Sequence, residues 1–384
     1  MKRAGASAIT EAKEAALEVL LHNARGPFGG LPRTAGWGYP EPYTRDLLIS
    51  SLGIMACGNA LLLRSLRRVF TTLAQNQSPL GQIPSLVHDP EDRGSSDTTP
   101  LFLLTLGLFR RYTGHTRFLE GASRKALRWM AYQSPEDRAM VAQQPTSDWR
   151  DEQWVLGYGL YVNALVHGYF RLLGDEGRAR VLRATLNRPG PGGGVRRGHP
   201  VEGLAIHGKP HYALWSYKVL RDERCDVLGN SLAILTGVAS RARAGRILDW
   251  IETECGALRA RGELALDLPP CLMPVVLPKD TDWHPRYASY NLPGHYHNGG
   301  VWPFVCGFYV AALVAAGQKR RANEKLAALT ELVKPSREAP VRFGFNEWFR
   351  PRDGAPAGQD WQTWSASMYL YAAACVEAGR ALYF

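Results

Sequence analysis

Two kinds of helical pattern alternate along the chain. Leu47–Leu63, Leu101–Leu108, Val155–Leu173, Val227–Val238, Val301–Ala316 and Ser365–Ala378 are almost wholly apolar. Between them lie Ile9–Leu21, Leu62–Ala74, Phe118–Tyr132, Glu176–Leu186, Ala242–Leu258 and Lys319–Val333, which are amphipathic and rich in arginine or lysine. A helix that is apolar all round belongs inside an assembly, and an amphipathic one covers it. Six of each in alternation predict an all-α (α/α)6 toroid, with inner helices forming a ring and outer helices shielding it. An α-solenoid would show a tighter and more uniform repeat. No composition break marks a boundary, so a single domain over 1–384 is expected.

The loops before the apolar segments share a character. They are Pro42–Asp46 (PYTRD), Ser95–Pro100 (SSDTTP), Ser147–Trp154 (SDWRDEQW), His295–Pro303 (HYHNGGVWP) and Gly358–Trp364 (GQDWQTW). Successive inner helices of a toroid run the same way, so these loops are expected to gather on one face. His295–Phe304 is the densest, with two imidazoles, an amide, two glycines and an indole before a proline suited to the first turn of a helix. Arg188–Gly198 and Leu268–Arg286, rich in Gly, Pro and charge, read as long surface loops.

Composition narrows the function classes. Of 384 residues, 45% are hydrophobic and 21% charged, enough for a large core. The net charge of +11 invites a nucleic-acid reading. The arginines are scattered over several helix faces, however, with no basic tail or nucleic-acid motif, so no such partner is expected. Cys57, Cys225, Cys255, Cys271, Cys306 and Cys375 stand singly, as buried free thiols in a reducing compartment do. Glu11, Lys13 and Glu14 interrupt the N-terminal apolar pattern, which reads as an amphipathic helix and not a signal peptide. No run of about 18 apolar residues occurs, so no membrane span is expected and a cytoplasmic location follows.

The rim carries carboxylates and indoles. Asp46, Asp97, Asp148, Asp151, Glu152, Glu347 and Asp360 are candidate acids, and Trp37, Trp149, Trp154, Trp283, Trp302, Trp348, Trp361 and Trp364 lie mostly in loops. Glycosidic hydrolysis needs a protonated carboxyl at the leaving oxygen and a second carboxylate across the ring. In inverting enzymes about 6.5–9.5 Å between them admits a water. Asp151, between tryptophans, has the setting of a general acid; Asp148 or Asp151 as a helix N-cap is the alternative. Glu347, in FGFNEWFRP, is costly to bury unless paired or used, and an ion pair with Arg350 or Arg342 would explain it structurally. His207, His211, His295 and His297 lack partners at familiar ligand spacings, so no metal is expected. GPGGG at Gly190–Gly194 has no P-loop or dinucleotide context, and GxSxG is absent; no cofactor is expected.

YTRDL (Tyr43–Leu47), YHNGGVWP (Tyr296–Pro303) and QTWSA (Gln362–Ala366) resemble the neutral/alkaline invertases and, more loosely, the glucosidase domain of glycogen-debranching enzymes. The WRD of Trp149–Asp151 is similar to the motif that carries the general acid in debranching glucosidases and cellobiose-type phosphorylases. The resemblance implies inverting hydrolysis, with Asp151 as acid and Glu347 as base. It implies that Arg45 and Asp46 bind hydroxyls of the innermost sugar, and that Trp149, His297, Asn298, Trp302, Gln362 and Trp364 line or adjoin that subsite. SDWRDEQW stands where invertases carry a DSGLWW-like motif, which turns the expectation from sucrose toward another small α-glucoside, disaccharide or oligosaccharide. A phosphorylase with Arg45, Arg150 and Arg286 holding phosphate, and a non-catalytic sugar-binding protein, are the alternatives. A lyase or epimerase using His295, His297 or Tyr296 is a further one.

Overall fold

A computed structural model describes residues 2–135, 140–189, 202–218 and 220–384. Most of the Arg188–Gly198 loop lies outside the described residues. The inner helices are α2 (Thr44–Cys57), α4 (Thr98–Thr113), α6 (Leu160–Leu172), α8 (Val227–Leu235), α11 (Pro303–Ala315) and α13 (Thr363–Ala378). The outer ones are α1 (Lys2–Asn23), α3 (Ala60–Gln75), α5 (Glu120–Tyr132), α7 (Glu176–Leu186), α9 (Arg241–Ala260) and α12 (Lys319–Leu332), and α10 (Tyr287–Tyr290) is a single turn in a long loop. Around the ring α2 packs on α4, α4 on α6, α6 on α8, α8 on α11, α11 on α13, and α13 returns to α2. This closed circuit is the (α/α)6 toroid that the alternation predicts.

The inner helices are buried on every side, so their few polar side chains must find partners within the ring. Several hydroxyls turn back onto the preceding helical turn. Ser50 donates to Asp46 O (2.6 Å), Thr105 to Leu101 O (2.7 Å), Ser231 to Val227 O (2.7 Å) and Thr236 to Leu232 O (2.8 Å). Outer helices such as α3 bury one stripe, Leu62, Leu66, Val69, Phe70 and Leu73, and leave their arginines outside.

Two element boundaries differ from the apolar pattern. Leu47–Leu63 is not one helix: Gly58, at φ 64°, ends α2, and Asn59 caps α3 by accepting from the Leu61 and Leu62 amides. Glycine takes that left-handed conformation without a Cβ penalty. Val155–Gly159 is not helical: Gly157 takes a left-handed φ of 73°, and Tyr158–Gly159 pairs with Trp215–Ser216 in a sheet completed by Leu220–Asp222. Helix α6 therefore starts only at Leu160, and neither Asp148 nor Asp151 caps a helix.

Contacts around one end of the ring join the N-terminal ends of the inner helices. Arg45 at the start of α2 bonds Asp97 before α4, Ser96 bonds Ser147, and Arg150 forms an ion pair with Asp226 at the head of α8. Val301, leading into α11, pairs with Phe349, and Ser365 of α13 donates to Asn346 O. The Thr363 amide donates to Thr34 O and completes the circuit. The five loops singled out in the sequence thus share one face.

Candidate active site

Tyr296 and His297 are adjacent in the loop before α11, and each reaches a different carboxylate. The Tyr296 hydroxyl donates to Glu347 Oε1 at 3.4 Å, and His297 Nε2 lies 3.9 Å from Asp151 Oδ1. Their rings lie 4.0 Å apart between centroids. Tyr296 takes a φ of 43°, and Phe345 and Trp361, beside Glu347 and Gln362, take 41° and 55°. Positive φ is strained for bulky side chains, and such strain concentrates where surrounding structure fixes a side chain's aim.

The two carboxylates occupy unlike environments. The Asp151 side chain is 58% exposed, and Arg45 Nη1 stands 3.9 Å from it. Desolvation by the enclosing walls pushes its carboxyl above the ordinary value, and Arg45 pulls it back. Glu347 is only 5% exposed. Its Oε2 accepts the Gln359 amide at 3.2 Å, and its own amide donates to Gln359 O at 2.9 Å. Burial lifts the Glu347 carboxyl to about 7; the Gln359 amide opposes this, the Asp151 charge adds to it, and the Tyr296 hydroxyl opposes it. Arg350 pairs with Asp353 and Arg342 with Glu11, so neither arginine accounts for Glu347.

Asp46, 7% exposed, is lifted to about 8 by burial, with Arg45 opposing and Glu347 and Asp151 adding. Tyr39 is pushed to about 12, first by the charge of Glu347 and then by burial. Asp46, Asp151, Glu347, Tyr39 and Tyr296 therefore lie within one another's electrostatic reach. Tyr39 is missing from the residues picked in the sequence. Its signal there is faint: a tyrosine in GWGYPEPY, just before the PYTRD loop. His297 is held well below its usual value by burial and then by Arg150, so the imidazole is neutral.

The other expected site residues fall into two groups. Arg45 grips Asp97 with two hydrogen bonds (2.6 and 3.1 Å) and keeps one nitrogen toward Asp151. Trp149, Asn298 and Trp302 are buried under the loops. Trp149 sets its ring edge-on to His297, Trp302 and Phe304, and His297 stacks on Trp302 at 16°. The Trp302 indole donates to Tyr296 O at 3.0 Å. The Asn298 side chain bonds both the amide and the carbonyl of Val276 and also Asn291 O, which ties the loop down. Gln362 and Trp364 open α13, with Trp364 stacked on Phe304 at 4.1 Å. Trp149 Nε1, His297 Nδ1, Gln362 Oε1 and Trp364 Nε1 are buried without a hydrogen-bond partner among the described residues.

The remaining candidate acids are engaged. Asp97 is held by Arg45, and Glu152 by Arg286 at 2.7 Å. Asp360 accepts from Ser336, from Asn346 and from the amides of Arg337, Glu338 and Ala339; burial pushes it up, but these donors keep it low. Asp148 is fully buried on Arg150 at 2.7 Å and is held low as well: burial opposes its charge, and Arg150 outweighs burial. Of the three carboxylates in SDWRDEQW, Asp148 is buried on Arg150, Glu152 is paired with Arg286, and Asp151 stays open beside Arg45 and His297. Among the described residues no group of three His, Cys, Asp or Glu side chains is placed to hold a metal ion, and no helix is long and apolar enough to cross a membrane.

Known toroids share this architecture. The structure superposes on a GH63 mannosylglycerate hydrolase from Thermus thermophilus solved with Tris and D-glycerate (TM-score 0.66, 16% identity, 94% of this chain and 99% of that one). It also matches a bacterial glucoamylase complexed with acarbose (TM-score 0.59, 14% identity, 90% of this chain and 50% of that one). At the level of sequence, residues 219–378 match the family model of alkaline and neutral invertases, a span that holds Glu347 and the Tyr296–Trp302 loop but not Asp151. Cytosolic invertase 1 of Oryza sativa subsp. japonica is 28% identical over 165 residues, which cover 41% of this chain and 26% of that protein. Probable alkaline/neutral invertase D of Arabidopsis thaliana is 27% identical over 166 residues, 41% of this chain and 28% of that protein. The chain thus aligns with about a quarter of the length of these relatives. The resemblance read from YTRDL, YHNGGVWP and QTWSA points to the same group.

Proposed function

We propose that this chain is an inverting glycoside hydrolase acting on an α-glucosidic bond in a small glycoside, disaccharide or short oligosaccharide. The observation that carries the reading is the pairing of an open carboxyl, Asp151, with a buried one, Glu347, bridged by Tyr296 and His297. Asp151 gives its proton to the glycosidic oxygen as the bond to the anomeric carbon breaks. Glu347 takes a proton from the water that attacks that carbon from the opposite face. A base with a carboxyl near 7 is stronger than an ordinary glutamate and still ionised just above neutrality. Neutral His297 leaves Asp151 free to hold its proton, which an imidazolium would oppose.

Arg45 and Asp46 serve the hydroxyls of the innermost sugar, with His297, Gln362 and Trp364 beside them and Trp149, Asn298 and Trp302 as the floor. Arg45, Arg150 and Arg286 are each paired with a carboxylate, which supports water and not phosphate as the nucleophile. The similarity to invertases over 219–378 supports a glycoside substrate. The ring, closed by α13 on α2, supports one domain over 1–384, and free cysteines agree with a cytoplasmic location.

The test is a screen of sucrose, trehalose, isomaltose and glucosylglycerate, repeated on Asp151→Asn and Glu347→Gln. Each variant is expected to lose at least about 10³-fold in turnover while still binding glucose by calorimetry. Ordinary turnover by either variant overturns the assignment.

A further inference from the structure

Arg150 precedes Asp151, yet its side chain is 1% exposed and points the other way, into the ring. Its Nη2 meets Asp148 Oδ2 at 2.7 Å and its Nη1 meets Asp226 Oδ2 at 2.9 Å. Its backbone amide is fixed by Asp148 Oδ1 at 2.8 Å. Asp226 also caps α8 by accepting the Leu228 amide at 3.1 Å. From there the connection continues to the loop before α11. Cys225–Asp226 pairs with Leu272–Met273, the Cys271 amide donates to Gly300 O at 2.9 Å, and the Cys271 thiol donates to His297 O at 3.2 Å.

We propose that the buried Asp148–Arg150–Asp226 clamp is the positioning device of the acid, and that Arg150, its central member, fixes where Asp151 stands relative to the His297 loop. This rests on the reading of Asp151 as general acid. Removing one member of a buried ion pair leaves an uncompensated charge, so Asp148, Arg150 and Asp226 depend on one another to keep their places beneath the open aspartate. A guanidinium grips two carboxylates at once in a fixed plane, which an ammonium cannot do.

Gly229 carries an independent signal. A Cβ there would lie 2.5 Å from Asp226 Oδ2, the oxygen that meets Arg150, and 3.1 Å from the Leu160 side chain. Glycine is a poor choice inside a helix, about 1 kcal/mol worse than alanine. Its presence in α8 leaves the Asp226 carboxylate its place.

The experiment compares Arg150→Lys, Gly229→Ala and Asp151→Asn with the wild-type chain on two probes. One is α-D-glucosyl fluoride, whose leaving group needs little protonation. The other is whichever of sucrose, trehalose and isomaltose the wild type cleaves fastest. Arg150→Lys is expected to lower kcat on the disaccharide about 10²-fold, the scale of acid assistance, with KM within a few-fold and a far smaller loss on the fluoride. Gly229→Ala is expected to do the same to a lesser degree. If Arg150→Lys does not fold, Gly229→Ala decides, because alanine favours the helix.

Equal losses on both probes, a loss confined to KM, or no loss in either clamp variant overturns the inference. A selective loss in Asp151→Asn with none in the clamp variants condemns the clamp alone. Full disaccharide turnover by Asp151→Asn, or no turnover of either probe by the wild type, removes the hydrolase reading and this inference with it.

Discussion

The Tyr296 hydroxyl donates to the Glu347 carboxylate across 3.4 Å, linking the loop before α11 to the segment before α13. His297, the next residue, stands 3.9 Å from Asp151. One short loop thus contacts both carboxylates, and Tyr296 takes a positive φ of 43° within it.

Tyr296→Phe should therefore alter the base without touching the acid. A hydrogen bond to a charged group contributes about 1.5 kcal/mol, so kcat/KM is expected to fall about tenfold. The hydroxyl holds the Glu347 carboxyl down, so its loss raises that carboxyl further. Ionising the base then takes a higher pH, and the acidic limb of the kcat/KM profile should move upward. A profile that keeps its shape would show that the contact has no bearing on the base.

Glu347 should also make stability depend on pH. Its carboxyl stands at about 7 in the folded chain against an ordinary value of 4.5. The folded state holds the proton more tightly, so this contribution is complete below about 4.5 and is lost as pH rises through about 7. At about 1.36 kcal/mol per tenfold, the change is on the order of 3 kcal/mol. Glu347→Gln should accordingly gain stability over the wild type between about pH 5 and about pH 8 in urea titrations. Parallel curves for the two proteins would contradict the burial of an ionisable Glu347.

Asp148 and Asp151, three residues apart, should behave as opposites. Asp148→Ala removes one of two partners of a buried guanidinium and is expected to cost about 3–5 kcal/mol in denaturant unfolding. Asp151→Ala, at an open position, should stay within about 0.5 kcal/mol of the wild type while losing activity. The reverse pattern would exchange their roles.

Much of the architecture was legible because the ring imposes a strong signal. Inner helices must be apolar on every side and outer ones on one stripe, so helix period and polarity alone separate them. The helix starts were harder to read. Val155–Gly159 is as apolar as α6, but the extended backbone that pairs with Trp215–Ser216 is set by a partner much further along the chain. In the site, the carboxylates stood out because charge among indoles is rare in a core. Which of Asp148 and Asp151 faces the cleft was not legible from composition, since both have the same neighbours. The difference lies in Arg150, which is buried on Asp148 and on Asp226 at the head of α8 while Asp151 stays open. Tyr39 was missed for a like reason: its nearness to Glu347 arises only when the ring closes.

The most direct test of the central claim is the anomeric form of the first product, followed by proton NMR during hydrolysis of an α-glucoside. An inverting site with Asp151 as acid and Glu347 activating water predicts β-glucose at the earliest times, drifting to the mutarotated mixture. α-Glucose appearing first would contradict it.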